Sequence, residues 1–516
     1  MTVLIVIICY LMLLVSLGVA SARFGKQTSN DFFVAGRSIG PFLLFMSLFG
    51  TTMTAFALVG SSGEAYERGI GVYGLMASAS GIVHSAVFFL IGMKLWVFGK
   101  KYGYTTQIQY FRDRFESDAI GLVLFPVLVL LVLPYLLIGL LASGASISAL
   151  TQGALPSLFA GGAVPPWLGS LVICFVVLTY IFFGGIRGAA WANAFQTCVF
   201  IILGMVAFYM IADALGGAKN ATQMVLAHKP DLLARSAHIS KFEFATYMLI
   251  PLSVGMFPHL FQHWLTAKSA KSFRLSIIAH PLFIMLVWVP CVLIGVWASS
   301  AMINGGLIVP EHSRANQVLT ILIRNLLDSP ILTGLLGAGI LAAIMSSLDS
   351  QFLCLGTIFT NDIVLHYADE NKISNQQKIW IARGFIIAIV AATYFISLFK
   401  PRQVFPLAIW CFTGFSSLFP LVFASIYWKK TTKIGAFASI LTAIFMWLFF
   451  FLKADWGAKS SFVLPEILPF ISASTESMQI TIMPVLPIII CSTLALIIGS
   501  LLSSPPSEKT VAKFFK

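Results

Sequence analysis

Thirteen long apolar runs, joined by mostly short polar loops, constrain this 516-residue chain more than any other feature. They lie near 2–21, 40–62, 71–96, 119–145, 166–186, 190–215, 244–264, 275–300, 331–361, 379–399, 403–428, 434–453 and 480–502. A run of about 20 apolar residues is the length of helix that crosses a bilayer. A spanning helix satisfies its own backbone, which lipid demands. The expected fold is therefore all-α integral membrane, with about thirteen transmembrane helices. Composition agrees: 59% of the residues are hydrophobic and 10% are charged, against about 25% charged in a soluble domain. That excludes a soluble enzyme, a disordered chain and a fibrous protein. The net charge of +13 does not signal nucleic acid, because the 32 Lys and Arg sit mainly in loops between the runs, where membrane topology places them. The seven cysteines lie in apolar stretches without CxxC spacing. They read as buried small hydrophobes.

Residues 2–21 end in Ala20-Ser21-Ala22, which has the small-residue character of a signal cleavage site. However, no Lys or Arg precedes the run, and Arg23 and Lys26 follow it. The charge order is that of a retained span with its N-terminus outside. In that orientation 21 of the 32 Lys and Arg fall in inside loops, among them Lys100, Lys101, Arg112, Arg114, Lys268 and Lys271. The expected setting is a cell inner (plasma) membrane, N-terminus out and C-terminus in. Longer outer stretches lie near 216–243, 301–330 and 454–479, and the last two have room for short surface helices. The tail 503–516 is polar, basic and Pro-containing. It is expected to be mobile.

Two spans look broken. The second reads Ser47-Leu48-Phe49-Gly50-Thr51-Thr52-Met53-Thr54-Ala55, polar at its middle. The seventh reads Ile250-Pro251-Leu252-Ser253-Val254-Gly255-Met256-Phe257-Pro258-His259. Glycine and proline at mid-span free backbone carbonyls, and in transporters such interruptions mark the binding site. Kinked but continuous helices, with Thr hydroxyls bonded to the preceding turn, are the other reading. Position favours the break: each segment opens a set of five spans. An odd set places its successor upside down, which is the inverted-repeat plan. The chain divides into a leading helix (2–21), a first repeat (40–215), a second repeat (244–428), two trailing helices (429–502) and the tail.

The ninth span carries Ser346-Ser347-Leu348-Asp349-Ser350-Gln351 inside an apolar run. Hydroxyls and freed carbonyls suit a hard cation such as sodium. An ionisable residue at span depth is a functional candidate. Asp349 is assigned a supporting or gating role, with a charge pair at the cytoplasmic end as the alternative. His84, His259, His263 and His280 form no metal motif and read as core histidines.

Five stretches in order carry a family resemblance. They are Asn30-Asp31-Phe32-Phe33-Val34-Ala35-Gly36-Arg37-Ser38; Gly184-Gly185-Ile186-Arg187-Gly188 with Trp191, Asn193 and Gln196; Leu265-Thr266-Ala267-Lys268-Ser269; Ala342-Ala343-Ile344-Met345-Ser346-Ser347; and Tyr427-Trp428-Lys429 with Gly435-Ala436. Over roughly residues 5–440 the chain resembles the sodium–solute symporters, which share an inverted five-plus-five helix core. The resemblance implies a sodium site made of the carbonyls of Gly50, Met53 and Ala343 and the hydroxyls of Ser346 and Ser347. It implies a small solute near Thr54, Phe56, Ala57, Ser253, Phe257, Trp410 and Phe415. The family usually has Asp where Asn193 stands, so gating through an acid at that position is in doubt. Pro258-His259 is similar to the amino-acid and organic-acid carriers of the family. His263 replaces the arginine those carriers often have, and Ala57 replaces the amide of the sugar carriers.

The expected function is sodium-coupled symport of a small organic solute, weighted toward an amino acid or small carboxylate. The implied partners are sodium, the solute and the lipid bilayer, with no nucleic acid. A proton-coupled carrier using Asp349 and a non-transporting solute sensor are the alternatives. No nucleophile or metal set for a membrane enzyme is legible.

Overall fold

The computed structural model describes residues 1–21, 28–77, 79–303, 305–310, 313–368, 372–399, 404–463, 466 and 480–515. Arg23, Lys26 and most of the outer stretch 454–479 lie outside the described residues. The chain is almost entirely helical. The first repeat region follows α1 (Thr2–Ser21). It runs through α2 (Pro41–Thr52), α3 (Phe56–Arg68), α4 (Gly71–Tyr102), α5 (Asp118–Leu150) and α6 (Pro166–Ala214). The second runs through α7 (Lys241–Gly255), α8 (Pro258–Thr266), α9 (Phe273–Ala298), α10 (Pro330–Ile358), α11 (Asn375–Leu398) and α12 (Val404–Tyr427). It is followed by α13 (Lys433–Lys453), α14 (Val485–Leu501) and α15 (Glu508–Phe515).

Both expected breaks are present. α2 meets α3 at 52°, and α7 meets α8 at 48°. Among the described residues nine helices are long and apolar enough to cross a membrane, or eleven if each bent pair counts as one span. The expected thirteen is not reached by that measure. Val485–Leu501 has only 17 residues, and the 49-residue α6 counts once. A straight helix of that length would extend about 74 Å, far beyond a bilayer core of about 30 Å. It bends at Gly185, whose φ of 54° and ψ of −149° interrupt the helix. This backbone region is essentially restricted to glycine.

Burial sorts the helices by role. In α10 and α12, 83% and 89% of the most apolar window is buried, against 28% in α1 and α11. The two central helices therefore bring polar side chains where lipid does not reach, and the peripheral ones present apolar faces. A parallel backbone bridge joins Ile39 to Ala267, tying the start of the first repeat to the end of α8.

Three expectations change. Residues 503–515 are not a loose tail: α15 docks by inserting Phe514 against Phe98 and Tyr110. Tyr102 donates to the Lys513 carbonyl at 2.7 Å. Ser507 and Thr510 donate to Glu116, and these bonds hold that carboxyl below its usual range. Surface helices occur at Ala218–His228 and Val318–Leu326, so the first outer stretch also holds one. Cys9 is exposed rather than buried, as its place on the peripheral α1 requires.

A Cβ on Gly185 would stand 2.8 Å from Phe32 Cδ2 and 2.9 Å from its carbonyl oxygen. Gly185→Ala is expected to cost roughly 2 kcal/mol or more in stability, from backbone strain and this clash. Thermal unfolding of the detergent-purified protein checks it; an unchanged midpoint would refute the break.

Candidate functional site

The break after α2 is built by its own side chains. Thr52 donates back to the carbonyls of Leu48 and Phe49, at 3.1 and 2.8 Å. Thr54 Oγ1 accepts the N–H of Phe56 at 3.0 Å. Such local bonds offer the backbone an alternative to the helix. Met53, with φ −89° and ψ 85°, leaves the helical path.

α10 reaches this point. Ser346 Oγ lies 2.9 Å from the Gly50 carbonyl oxygen and 3.0 Å from that of Ala343. Three of the five expected sodium-site oxygens therefore cluster around one hydroxyl. Ser347 lies beside them, with its Oγ on the Ile344 carbonyl at 3.0 Å. Met53, Ala343, Ser346 and Ser347 are all at most 2% exposed. Gly50 also lets α2 pack closely on α6: a Cβ there would lie 2.3 Å from Thr197 Oγ1. The donor set is all oxygen and uncharged, and oxygen is what a hard cation takes. The second break has the same design. Ser416 of α12 donates to the Ile250 carbonyl at 2.8 Å.

Asp349 lies one turn further along α10 and is fully buried. Tyr180 donates to its Oδ2 at 3.1 Å, and Ser350 donates to its Oδ1 at 3.0 Å. Ser350 Oγ in turn receives Asn193 Nδ2 at 2.9 Å and faces His263 Nε2 at 2.9 Å. Asp349 is thus held by neutral groups, and among the described residues no Lys or Arg pairs with it. The charge pair read as its alternative is made instead by Asp362, whose Oδ1 lies 3.4 Å from Arg112 Nη1. Asn193, standing where an acid was expected, joins α6 to α10 through Ser350.

A small cavity of about 40 Å³ adjoins the break. Thr52 and Met53 line it, as do Phe56, Ser253 and Phe257 from the expected solute set. Thr54, Ala57, Trp410 and Phe415 do not. Phe415 stands behind the wall, 5.0 Å from the Phe257 ring. Trp410 faces away, packs on Phe451 at 5.4 Å and donates to the Lys459 carbonyl at 3.0 Å. The lining residue of α12 is Phe412, two positions on. Sequence reading also missed Tyr135 and Trp288, and it named His84 only as a core histidine; all three come from helices outside the broken pairs.

The ends of the broken helices are tied by charge. Arg68, ending α3, contacts Glu64 at 3.1 Å and Glu243, in the first turn of α7, at 2.8 Å. Sequence reading singled out none of these three residues; Arg68 is the partner that the two carboxylates share.

Comparison with known proteins bears on this arrangement. The model of the Sodium:solute symporter family matches residues 32–443. A sodium/proline symporter of Haemophilus influenzae is 26% identical over 506 residues, covering 96% of this chain and 94% of that protein. A high-affinity proline transporter of Bacillus subtilis is 24% identical, covering 88% and 92%. Among solved structures, a Na+-coupled sialic acid symporter in a substrate-bound outward-open state superposes with a TM-score of 0.75 at 17% identity, over 98% and 99% of the two chains. A nucleobase-cation-symport-1 transporter in a closed conformation gives 0.56 at 12% identity, over 93% and 97%. Both likenesses are of fold.

Tyr180→Phe removes one donor to a buried carboxylate. It is expected to destabilise the protein by about 1–3 kcal/mol. Thermal unfolding checks this, and an unshifted midpoint would deny the bond.

Proposed function

Because the chain belongs to the Sodium:solute symporter family, we propose that it carries an amino acid or another small carboxylate, proline foremost, inward with sodium. Sodium-coupled symport across a membrane is its functional class. The choice of solute is supported by the relatives named as proline carriers. It is supported too by a cavity that no Asp, Glu, Lys or Arg lines. The proposed setting is the inner (plasma) membrane, N-terminus outside, with 40–215 and 244–428 as the two repeats.

One contact carries the reading: Ser346 of α10 on the Gly50 carbonyl of the broken α2, at 2.9 Å. We assign sodium to Gly50, Met53, Ala343, Ser346 and Ser347. A cation there would take the place of this hydrogen bond, with the Ser346 hydroxyl keeping its proton and turning its oxygen lone pair to the ion. It would fasten α2 to α10 next to the cavity, because Met53 belongs to both the ion set and the cavity wall. Solute binding then favours closure, and the carrier opens inward. Such coupling requires that ion and solute bind the two states unequally. A potential of ~100 mV supplies about 2.3 kcal/mol per charge. A tenfold sodium gradient adds roughly 1.4 kcal/mol. Together they concentrate a neutral solute roughly 500-fold. Asn193 and Asp349 act behind the site: they hold α6, α8 and α10 in register through Ser350.

A proton-coupled carrier is the second reading, favoured by one observation. Asp349 is fully buried among neutral partners, so a proton is available as its counter-charge.

Proteoliposome uptake separates the two. Ser346→Ala and Ser347→Ala are each expected to raise the sodium concentration for half-maximal proline uptake about 10- to 100-fold. Unchanged sodium affinity in both would remove the assigned site. Uptake that persists without sodium, follows the pH gradient and fails in Asp349→Asn would establish the proton reading.

A further inference from the structure

His84 of α4 lines the cavity, and its Nδ1 lies 3.0 Å from Nε2 of His280 on α9. Such a contact needs one protonated nitrogen and one lone pair. The far nitrogen of His280, Nδ1, is buried without a partner. The rings around it, Phe49 and Phe88 at 5.4 and 5.0 Å, offer no lone pair. The possible proton arrangements can therefore be ranked. If His84 donates, neutral or charged, His280 accepts at Nε2. Its own proton then sits on Nδ1 as a buried N–H with no acceptor. A doubly protonated His280 has the same fault. Only a neutral pair in which His280 Nε2–H donates to His84 Nδ1 leaves a lone pair, and not an N–H, unsatisfied. An orphaned buried N–H is the rarer and costlier defect.

His263 shows that this core accepts such a lone pair. Ser350 gives its single proton to Asp349, so it faces His263 Nε2 as an acceptor. His263 therefore carries its proton on Nε2, and its buried Nδ1 has no partner.

Resting on the reading of this cavity as the solute site, we propose that His84 determines specificity by presenting Nε2–H to a carboxylate of the solute, with His280 as the positioning residue that holds this tautomer. Among the described residues His84 Nε2 has no hydrogen-bond partner, and it is not among the sealed buried atoms. It is the ring nitrogen left to the cavity. Trp288, on the same helix as His280, lines the cavity as well, but its Nε1–H is among the sealed atoms. The N–H of His84 is thus the one left to a space whose described lining has no Asp, Glu, Lys or Arg. Phe56, Tyr135, Phe257 and Phe412 line the same space as an aromatic cluster, with Phe56 and Tyr135 5.2 and 5.3 Å from the Phe412 ring. The arrangement fits a small solute with a carboxylate at one end and an apolar body at the other. No arginine is needed to hold the acid.

The test uses the full chain in lipid nanodiscs with 15N-labelled histidine, assigned through His84→Gln and His280→Gln. Both residues are expected to be neutral and protonated on Nε2. A proton on Nδ1 of either one overturns the proposal. L-proline with sodium is expected to shift the His84 Nε2 signal, and L-prolinamide to shift it far less. In proteoliposomes His84→Phe should raise the KM for proline about tenfold or more with sodium affinity unchanged. His84→Gln, which keeps an N–H, should fall between Phe and the wild type. Proline uptake by the wild type with a His84 signal that does not move refutes the role of His84 and leaves the cavity assignment standing. If neither proline nor a panel of small carboxylates is taken up by the folded wild type, the solute-site reading fails and His84 loses this role with it.

Discussion

Backbone carbonyls released inside a membrane must find partners, and the organisation of this protein depends on how it supplies them. The first broken helix exposes Gly50, which a serine hydroxyl of α10 meets. The second exposes Ile250, which a serine hydroxyl of α12 meets. These two suppliers are the most buried of the spans. A small hydroxyl can satisfy a carbonyl and can also give way to a cation or a solute group. A hydrophobic contact could do neither. The breaks are thus tolerated because central helices complete them, and the same completion makes them usable as binding sites.

Behind Ser346 and Gly50 the polar residues form a single connected net. Tyr180, Asp349, Ser350, Asn193 and His263 belong to α6, α8 and α10, and each bond has neutral donors on a buried acceptor. Placing the one carboxylate on α10, with an amide on α6, keeps the acid within a few residues of Ser346. The net joins α10 to α8, half of the second broken pair. At the far ends Arg68 joins α3 to α7 through Glu64 and Glu243. The two broken helices are consequently linked both at mid-depth and at one face.

Much of this was legible from residue order. Gly50 and the threonines after it, the prolines around Ile250 and the hydroxyl pair at Ser346 and Ser347 announce themselves because lipid penalises each of them. The cavity wall was less legible. Trp410 and Phe412 are both aromatic and two positions apart on one helix, but that spacing turns them about 200° from each other. Which one faces the solute depends on the rotation of α12 against α7 and α13. Phe514 and Phe515 gave little sign in a basic tail. Their helix is stable because Phe98, Tyr102 and Tyr110 form a receptor for it.

The sequence by itself determined that the chain is a bundle of membrane helices, that two of them are interrupted, and that polar groups lie at one interruption. These follow from local rules: the length of apolar runs, and the cost of glycine, proline and polar groups inside them. Only the tertiary structure decided which partners meet. Asp349 lies with Tyr180 and not with a cation. His84 is paired with His280 across 196 positions of chain. Such contacts depend on the rotation and crossing of helices distant in sequence, and those are settled by the packing of all the helices together, not by any one segment.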